Sequence, residues 1–195
     1  MARRPKRAAR PADAPRTARR RATAIASEGR LVLTEGPANS RLFVYMAGNF
    51  LHRIERERRE LYFGDLDLAL VAEIIGTAGV EPGMRDAAFR EKHQHFDTTV
   101  SVDDQRAMNA TSISIAAGIP RETVRRKIRQ LLKLGFIVEK EPARYVLKPG
   151  VLLEPHRQAA FARGIDLTVR FMNELLDHGV VRWNPASKAK RGSGG

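Results

Sequence analysis

The sequence predicts a mainly α-helical fold, built around two short helices and a β-hairpin, with a longer helix on each side. Three observations lead to this prediction. Residues 110–134 contain two short amphipathic segments joined by a glycine. Two β-prone runs follow directly, and apolar residues recur at helical spacing in residues 39–61 and 155–178. No long apolar run is present, so no transmembrane helix is expected, and the lack of cysteine excludes disulfides and thiolate metal sites.

Positive charge is concentrated near the N-terminal end, where residues 1–24 hold nine basic side chains and one acid, Asp13, in a chain of formal net charge +13. These residues contain three prolines and no apolar periodicity, so they are predicted to be a disordered basic tail. The tail could be a solubilising leader or a non-specific arm on DNA phosphates, and its composition also suits an organellar transit peptide. A secretory signal is excluded because no apolar segment follows. Residues 184–195 are predicted to be a second disordered tail.

Residues 25–61 are predicted to be a connector followed by an N-terminal helix. Leu31–Leu33 is a candidate short strand that ends before Gly36-Pro37. Asn39 or Ser40 can cap the helix that follows. Its apolar residues lie three, four and seven positions apart, as on one face of a helix: Leu42, Phe43, Met46, Phe50, Ile54 and Leu61.

A central domain, residues 62–150, is predicted to begin with a buried helix. Gly64 interrupts the preceding helix, and Asp65 is suited to cap the next one. Residues 65–78 are apolar on almost all sides, which is typical of a buried helix. We expect this helix to end at the glycines and proline that follow: Gly76, Gly79 and Pro82-Gly83.

Residues 80–108 are predicted to be an insertion in the central domain, with a short helix at Arg85–His93 and a polar, acidic remainder. His93, His95 and Asp97 are of residue types that bind metal ions. No other group of ligands lies nearby in the sequence, and two histidines in a polar loop are usually exposed to solvent. We therefore predict neither a metal ion nor another cofactor.

Residues 110–134 carry the clearest functional pattern. Gly118 lies where the chain has to turn sharply between two short helices, because glycine adopts a positive φ without steric cost. Pro120 suits the start of the second helix, where its missing N–H is not needed. One face of this helix is predicted to be buried, through Val124, Ile128, Leu131 and Leu132. The other faces present charged side chains: Arg121, Glu122, Arg125, Arg126 and Arg129.

Two β-prone runs, Phe136–Glu139 and Arg144–Leu147, follow this helix, and Lys140–Ala143 joins them as a turn. A helix with outward arginines fits the major groove of DNA, while basic residues beside it reach the phosphates. Lys127 and Lys133 are suited to such phosphate contacts. Nine residues are predicted to contact DNA: Arg121, Glu122, Thr123, Arg125, Arg126, Arg129, Lys133, Lys140 and Arg144.

Two stretches form a motif: Ala116-Ala117-Gly118-Ile119-Pro120-Arg121-Glu122-Thr123-Val124-Arg125-Arg126, and Leu132-Lys133-Leu134-Gly135-Phe136-Ile137. They resemble the winged helix-turn-helix of bacterial transcriptional regulators. The wider layout is similar to that of MarR-type regulators, although residues 80–108 are additional and residues 139–145 lack an Asp-x-Arg pattern. The resemblance implies a three-helix core with a two-stranded wing, and a cytoplasmic, nucleoid-associated regulator. It further implies sequence-specific binding of double-stranded DNA, by a recognition helix at about 120–134 and a wing on the backbone.

Residues 151–183 are predicted to form a C-terminal helix. Pro155 suits its first position, and Gly179 suits its C-terminal end. Its apolar stripe comprises Phe161, Ile165, Val169, Met172, Leu175 and Leu176. We expect this stripe and that of the N-terminal helix to be buried against a second copy of the chain. Such a homodimer would place two recognition helices one turn of DNA apart, ~34 Å.

Two other functional classes are open to this sequence. A replication, partition or conjugation protein of a mobile element also uses a winged helix to bind its origin, but no Walker-type phosphate loop accompanies the motif. An enzyme would need a catalytic constellation, and no Ser-His-Asp or Cys-His set is legible, so no catalytic residue is predicted. A small-molecule effector is compatible with a regulator, although no residue pattern identifies one.

Overall fold

A computed structural model describes residues 29–34, 40–95 and 97–185. The predicted basic tail at 1–24, most of the connector at 25–38, Asn39 and residues 186–195 lie outside the described residues. None of the helices in the described part of the chain has the length and apolar character that crossing a bilayer requires. The elements in chain order are β1 (Gly29–Leu33), α1 (Ser40–Leu61), α2 (Leu66–Met84), α3 (Ala87–His93), α4 (Ala110–Ala117), α5 (Arg121–Lys133), β2 (Ile137–Glu141), β3 (Arg144–Leu147), a 3₁₀ turn (Val151–Leu153), α6 (Pro155–Asp177) and β4 (Val181–Pro185).

The prediction of a mainly helical protein is confirmed, since helices predominate over two small antiparallel sheets in the described residues. Residues 62–151 share one apolar core, in which α2 packs against α4, α5 and β3. As predicted, Asp65 caps α2, and its carboxylate accepts a hydrogen bond from the Leu68 N–H at 2.9 Å. The largest fully buried side chains among the described residues are Leu68, Val71, Ile75, Ile113, Val124, Leu131, Ile137 and Val146.

The predicted end of the buried helix near residue 78 is wrong, because α2 continues to Met84 with Pro82 inside it. The glycines at 76 and 79 serve packing rather than termination. A Cβ on Gly76 would lie 2.6 Å from Leu147 Cδ1, so the missing side chain lets β3 approach the helix closely. Glycine weakens a helix by only ~1 kcal/mol relative to alanine, which tertiary packing outweighs.

Residues 80–108, the predicted insertion, contribute Met108 to the apolar core. The predicted short helix is present as α3, capped by Asp86, whose carboxylate accepts a hydrogen bond from the Phe89 N–H at 2.8 Å. Farther along, Met108 is buried and forms a β-bridge with Tyr145, through N–H···O hydrogen bonds of 2.9 Å and 2.8 Å. The hairpin of β2 and β3 is therefore extended by a third stretch of extended backbone.

The two long helices, α1 and α6, pack on each other within one chain. The rings of Phe50 and Phe171 stack with centroids 4.5 Å apart and an interplanar angle of 7°. A small core beside them is formed by Met46, Leu175, Val180 and Val181. Part of each predicted apolar stripe is therefore buried within one chain.

Strands β1 and β4 close this second unit as an antiparallel pair, with Leu33 opposite Val181 and Gly29 opposite Pro185. The predicted short strand at 31–33 is confirmed, and it begins two residues earlier. The predicted disordered tail at 184–195 is wrong at its first two residues, because Asn184 and Pro185 belong to β4. Strand β4 has only five residues, and all but the first are exposed, so its sequence shows no apolar–polar alternation that would predict a strand.

Candidate nucleic-acid interface

The turn between α4 and α5 is fixed by local chemistry. Asn109 caps α4, and Gly118 ends it in the left-handed conformation with φ 66° and ψ 22°. The Ser114 hydroxyl donates to the Ile119 carbonyl at 2.6 Å, which ties the end of the turn back to α4. Pro120 precedes the first residue of α5, in line with its predicted place at the start of the helix. These contacts set the angle at which α5 leaves the turn.

The predicted apolar seam of α5 faces the core. Val124 and Leu131 are completely buried, Ile128 is nearly so, and Leu132 is half-buried. Because one side of the helix is used in this way, the opposite side must face solvent. The exposed residues of α5 are Arg121, Glu122, Arg125, Arg126, Arg129 and Lys133, and Thr123 is half-buried at their edge.

The guanidinium groups on the exposed face of α5 are largely available to a ligand. Arg125 Nη1 lies 2.5 Å from Glu122 Oε1, one turn away on the same helix. Arg129 Nε donates weakly to the Arg125 carbonyl at 3.4 Å. Within the described residues, no acidic side chain lies within ion-pair distance of Arg121, Arg126 or Lys133. The face therefore presents net positive charge over three helical turns.

Lys127 does not suit the phosphate contact that was predicted for it. Its side chain is buried, and Nζ forms an ion pair with the carboxylate of Asp65. Partial burial opposes ionisation of Asp65, but hydrogen bonds from Lys127 and from the Leu68 N–H outweigh it and hold the pKa of Asp65 below its ordinary 3.8. Lys127 thus joins α5 to the first turn of α2. The sequence carries no signal for this pair, because 62 positions separate its members.

Lys140 also departs from its predicted role at the hairpin tip. Its Nζ donates to the carbonyl oxygens of Asp103 at 3.0 Å and Gln105 at 2.8 Å, so it fastens β2 to the segment before α4. Arg144 remains exposed, with Nε 3.5 Å from Glu141. The tip between them is tight, with Ala143 at φ 58°. Of the two predicted hairpin contacts, Arg144 alone faces solvent with its charged group.

The histidines near residue 95 do not form a cluster. His93 is buried with its ring against Phe89, at a centroid distance of 4.5 Å, whereas His95 and Asp97 are exposed. Among the described residues, no group of three or more metal-ligating side chains is found. Both ring nitrogens of His93 are buried without a hydrogen-bond partner in the described structure. A pattern of polar residues could not have indicated this burial.

No family model, curated protein or solved structure matches this chain. The function is therefore inferred from the residues and from the geometry around α5. The exposed face of α5 is convex and positively charged, and the buried seam and the fixed turn hold it rigidly. Such a surface suits a polyanion with a groove wide enough for a helix.

Proposed function

We propose that the protein is a sequence-specific, double-stranded DNA-binding regulator of transcription, with α5 as its recognition helix. The observation that carries this proposal is the division of α5 into a completely buried apolar seam and an exposed face with Arg121, Arg125, Arg126 and Arg129. An α-helix fits the major groove, and arginine is the residue that most often reads guanine there. The N-terminal half of such a helix lies deepest in the groove.

The elements around α5 support a winged helix-turn-helix. Helices α2, α4 and α5 form a three-helix core, and the β2–β3 hairpin follows α5 directly. The Met108–Tyr145 bridge adds a third stretch of backbone to the hairpin, which steadies it against the helices. In this proposal the hairpin is the wing, and Arg144 contacts the sugar-phosphate backbone beside the groove. Arg129 and Lys133 lie farther along α5, where they suit phosphate contacts.

A homodimer is part of the proposal, with Val44 and Leu51 on α1 in place of the stripe that the sequence suggested there. On α6, Ile165, Val169 and Leu176 are exposed, and they lie four and seven positions apart. On α1, Val44 and Leu51 are 67% and 55% exposed, also seven positions apart. Apolar stripes of this kind are typical of helix–helix interfaces. A two-fold axis along them would present two copies of α5 to one face of a duplex.

The proposed function is tested first by selecting bound duplexes from a random library, and then by measuring affinities for the selected site and for random DNA. Arg126→Ala should weaken binding to the selected site by roughly 5–150-fold, the range of ~1–3 kcal/mol for a good base contact. Binding to random DNA should weaken less. The matched control is Arg85→Ala, an exposed arginine outside α5 that is paired with Glu81.

Three results would contradict the proposal in different ways. Selection without a shared sequence would argue against sequence-specific binding. Equal losses on all duplexes for Arg126→Ala would show that Arg126 contacts phosphates only. An equal effect of Arg85→Ala would show that bulk charge, rather than the α5 face, determines the affinity.

A further inference from the structure

A cavity of about 530 Å³ lies between α2, the segment that follows α3, the end of β3 and the start of α6. Its walls are mainly apolar, and they include Val80, Phe136, Leu147 and Phe161. Ligand pockets in proteins commonly measure ~300–1,000 Å³ and combine apolar walls with a few polar groups. The cavity has this size and this character, and it is separate from the exposed face of α5.

His93 is the polar group in this cavity that the fold does not explain. Its side chain is 8% exposed, yet neither ring nitrogen has a hydrogen-bond partner among the described residues. Leaving a buried polar group unpaired costs ~1–3 kcal/mol. The neighbouring Gln105 is the contrast, because its side-chain amide donates to the Leu147 carbonyl at 3.0 Å and accepts from the Leu147 N–H at 3.1 Å. His93 lines the cavity with both ring nitrogens covered, so a turn of its ring would present an unpaired nitrogen to a partner that enters there.

Arg157 and Tyr62 are among the other polar residues that line the cavity. Arg157 is buried with its guanidinium 3.6 Å from the Phe136 ring centroid, and it is neutralised by Glu154, whose Oε2 lies 3.0 Å from its Nε. Burial, with Glu73 nearby, raises the pKa of Tyr62 to about 12, so this side chain keeps its hydroxyl proton. The lining also includes Glu73, which is paired with Arg58, and Lys148, so charged groups stand beside its hydrogen-bonding groups.

We propose that this cavity binds a small, mainly apolar molecule whose single hydrogen-bonding head group pairs with the imidazole of His93. The apolar body would lie against Val80, Leu147 and Phe161. The site does not depend on the proposed DNA-binding function, since its binding is measurable without DNA.

The test uses two aromatic probes of matched shape, 2-naphthol and 2-methylnaphthalene, with equilibrium dialysis against the full-length protein. The site predicts saturable binding of 2-naphthol at one equivalent per chain. His93→Phe should keep the ring volume and remove the polar partner. The affinity for 2-naphthol should decrease by at least tenfold, while 2-methylnaphthalene binds as before or more tightly. His178→Phe, at an exposed histidine, is the matched control and should change neither affinity.

Stability measurements separate this site from a purely structural role of His93. His93→Phe removes an unpaired buried imidazole, so its melting temperature should equal or exceed that of the unaltered protein, which rules out misfolding as the reason for weaker binding. Val80→Phe fills part of the cavity and should lower the affinities for both probes. The proposal is overturned if 2-naphthol does not saturate, if His93→Phe leaves its affinity unchanged, or if Val80→Phe leaves both affinities unchanged.

Discussion

At the scale of single residues, the ion pair of Lys127 with Asp65 has two roles, because Asp65 also caps α2. One carboxylate thus joins the start of the central helix to the middle of the proposed recognition helix. Charges that are paired and largely removed from water are costly to leave alone, so the loss of either partner should exceed the effect of an ordinary surface substitution. The pair also gives folding a dependence on pH.

We expect acid to destabilise the protein partly through Asp65. In the unfolded chain its carboxyl titrates near the ordinary pKa of 3.8, whereas the folded state holds the pKa lower. The folded state therefore binds fewer protons, and the stabilisation present above pH 3.8 is lost as the pH falls through the folded-state pKa. Lys127→Met removes the main cause of the lowered pKa. Urea unfolding between about pH 3 and pH 7 should show a smaller acid-induced loss for this variant, and an unchanged loss would contradict the assignment.

Some features of the α5 face could be predicted from the sequence, and others could not. The outward arginines of α5 and its buried seam follow from helical periodicity, which depends only on near neighbours in the chain. The intramolecular contacts of Lys127 and Lys140 could not be predicted, because their partners, Asp65 and the carbonyls of Asp103 and Gln105, lie 35 or more positions away. From the sequence alone, a basic residue whose charged group faces solvent cannot be distinguished from one whose charged group binds a distant carbonyl.

At the scale of elements, the turn between α4 and α5 determines how α5 is presented. Gly118 has φ 66°, and apart from its chain neighbours no atom of the described residues lies within 4 Å of a Cβ built on it, so a side chain there would meet backbone strain but no clash. Gly164 in α6 has equally open space at the position of a Cβ, but its backbone is helical. Gly118 and Gly164 therefore differ in backbone conformation but not in the space around a Cβ, so the effects of an added Cβ can be compared directly.

We expect Gly118→Ala to reduce the free energy of unfolding by ~1–2 kcal/mol, the cost of the left-handed conformation for a residue with a Cβ. Gly164→Ala should raise it by ~0.5–1 kcal/mol, because alanine loses less conformational freedom in a helix. Thermal or urea unfolding of both variants measures the two signs. A loss of similar size in both would show that the positive φ at Gly118 is not what requires glycine.

Element ends were harder to predict than element types. The helices at 40–61, 87–93, 110–117, 121–133 and 155–177 lie close to their predicted places because capping residues and apolar spacing are local. The extension of α2 past Gly79 could not be predicted from neighbouring residues in the sequence, since the glycines there make room for Leu147 and for the segment that contains Gln105. The bridge of Met108 to Tyr145 was missed for the same reason, as a single paired residue has no periodicity.

At the scale of the whole molecule, the exposed faces of α1 and α6 are where a second copy should bind. Ile165→Asp places a charge in the middle of that face and should convert the proposed dimer to a monomer, with a matching decrease in affinity for a two-fold DNA site. Sedimentation equilibrium measures the change. Ile115→Asp is the control for oligomeric state, because Ile115 is 80% exposed on α4, outside this face. An unaltered chain that is monomeric at all concentrations would refute the dimer.

The basic residues at 1–24 allow a separate prediction about affinity. Removing them should weaken binding on selected and random duplexes by similar factors, because phosphate contacts carry no sequence information. The slope of log affinity against log salt should become shallower by ~0.9 for each phosphate that these residues neutralise. Anisotropy titrations at several salt concentrations measure both effects. A decrease confined to the selected site would instead assign base contacts to these residues.

The pairing of β1 with β4 has a topological consequence for the charged ends. Because Gly29 lies opposite Pro185, residues 1–28 and 186–195 depart from neighbouring strands, whose backbones are ~4.8 Å apart. The covalent links to these two segments, at Gly29 and at Pro185, therefore lie side by side at one end of the strand pair.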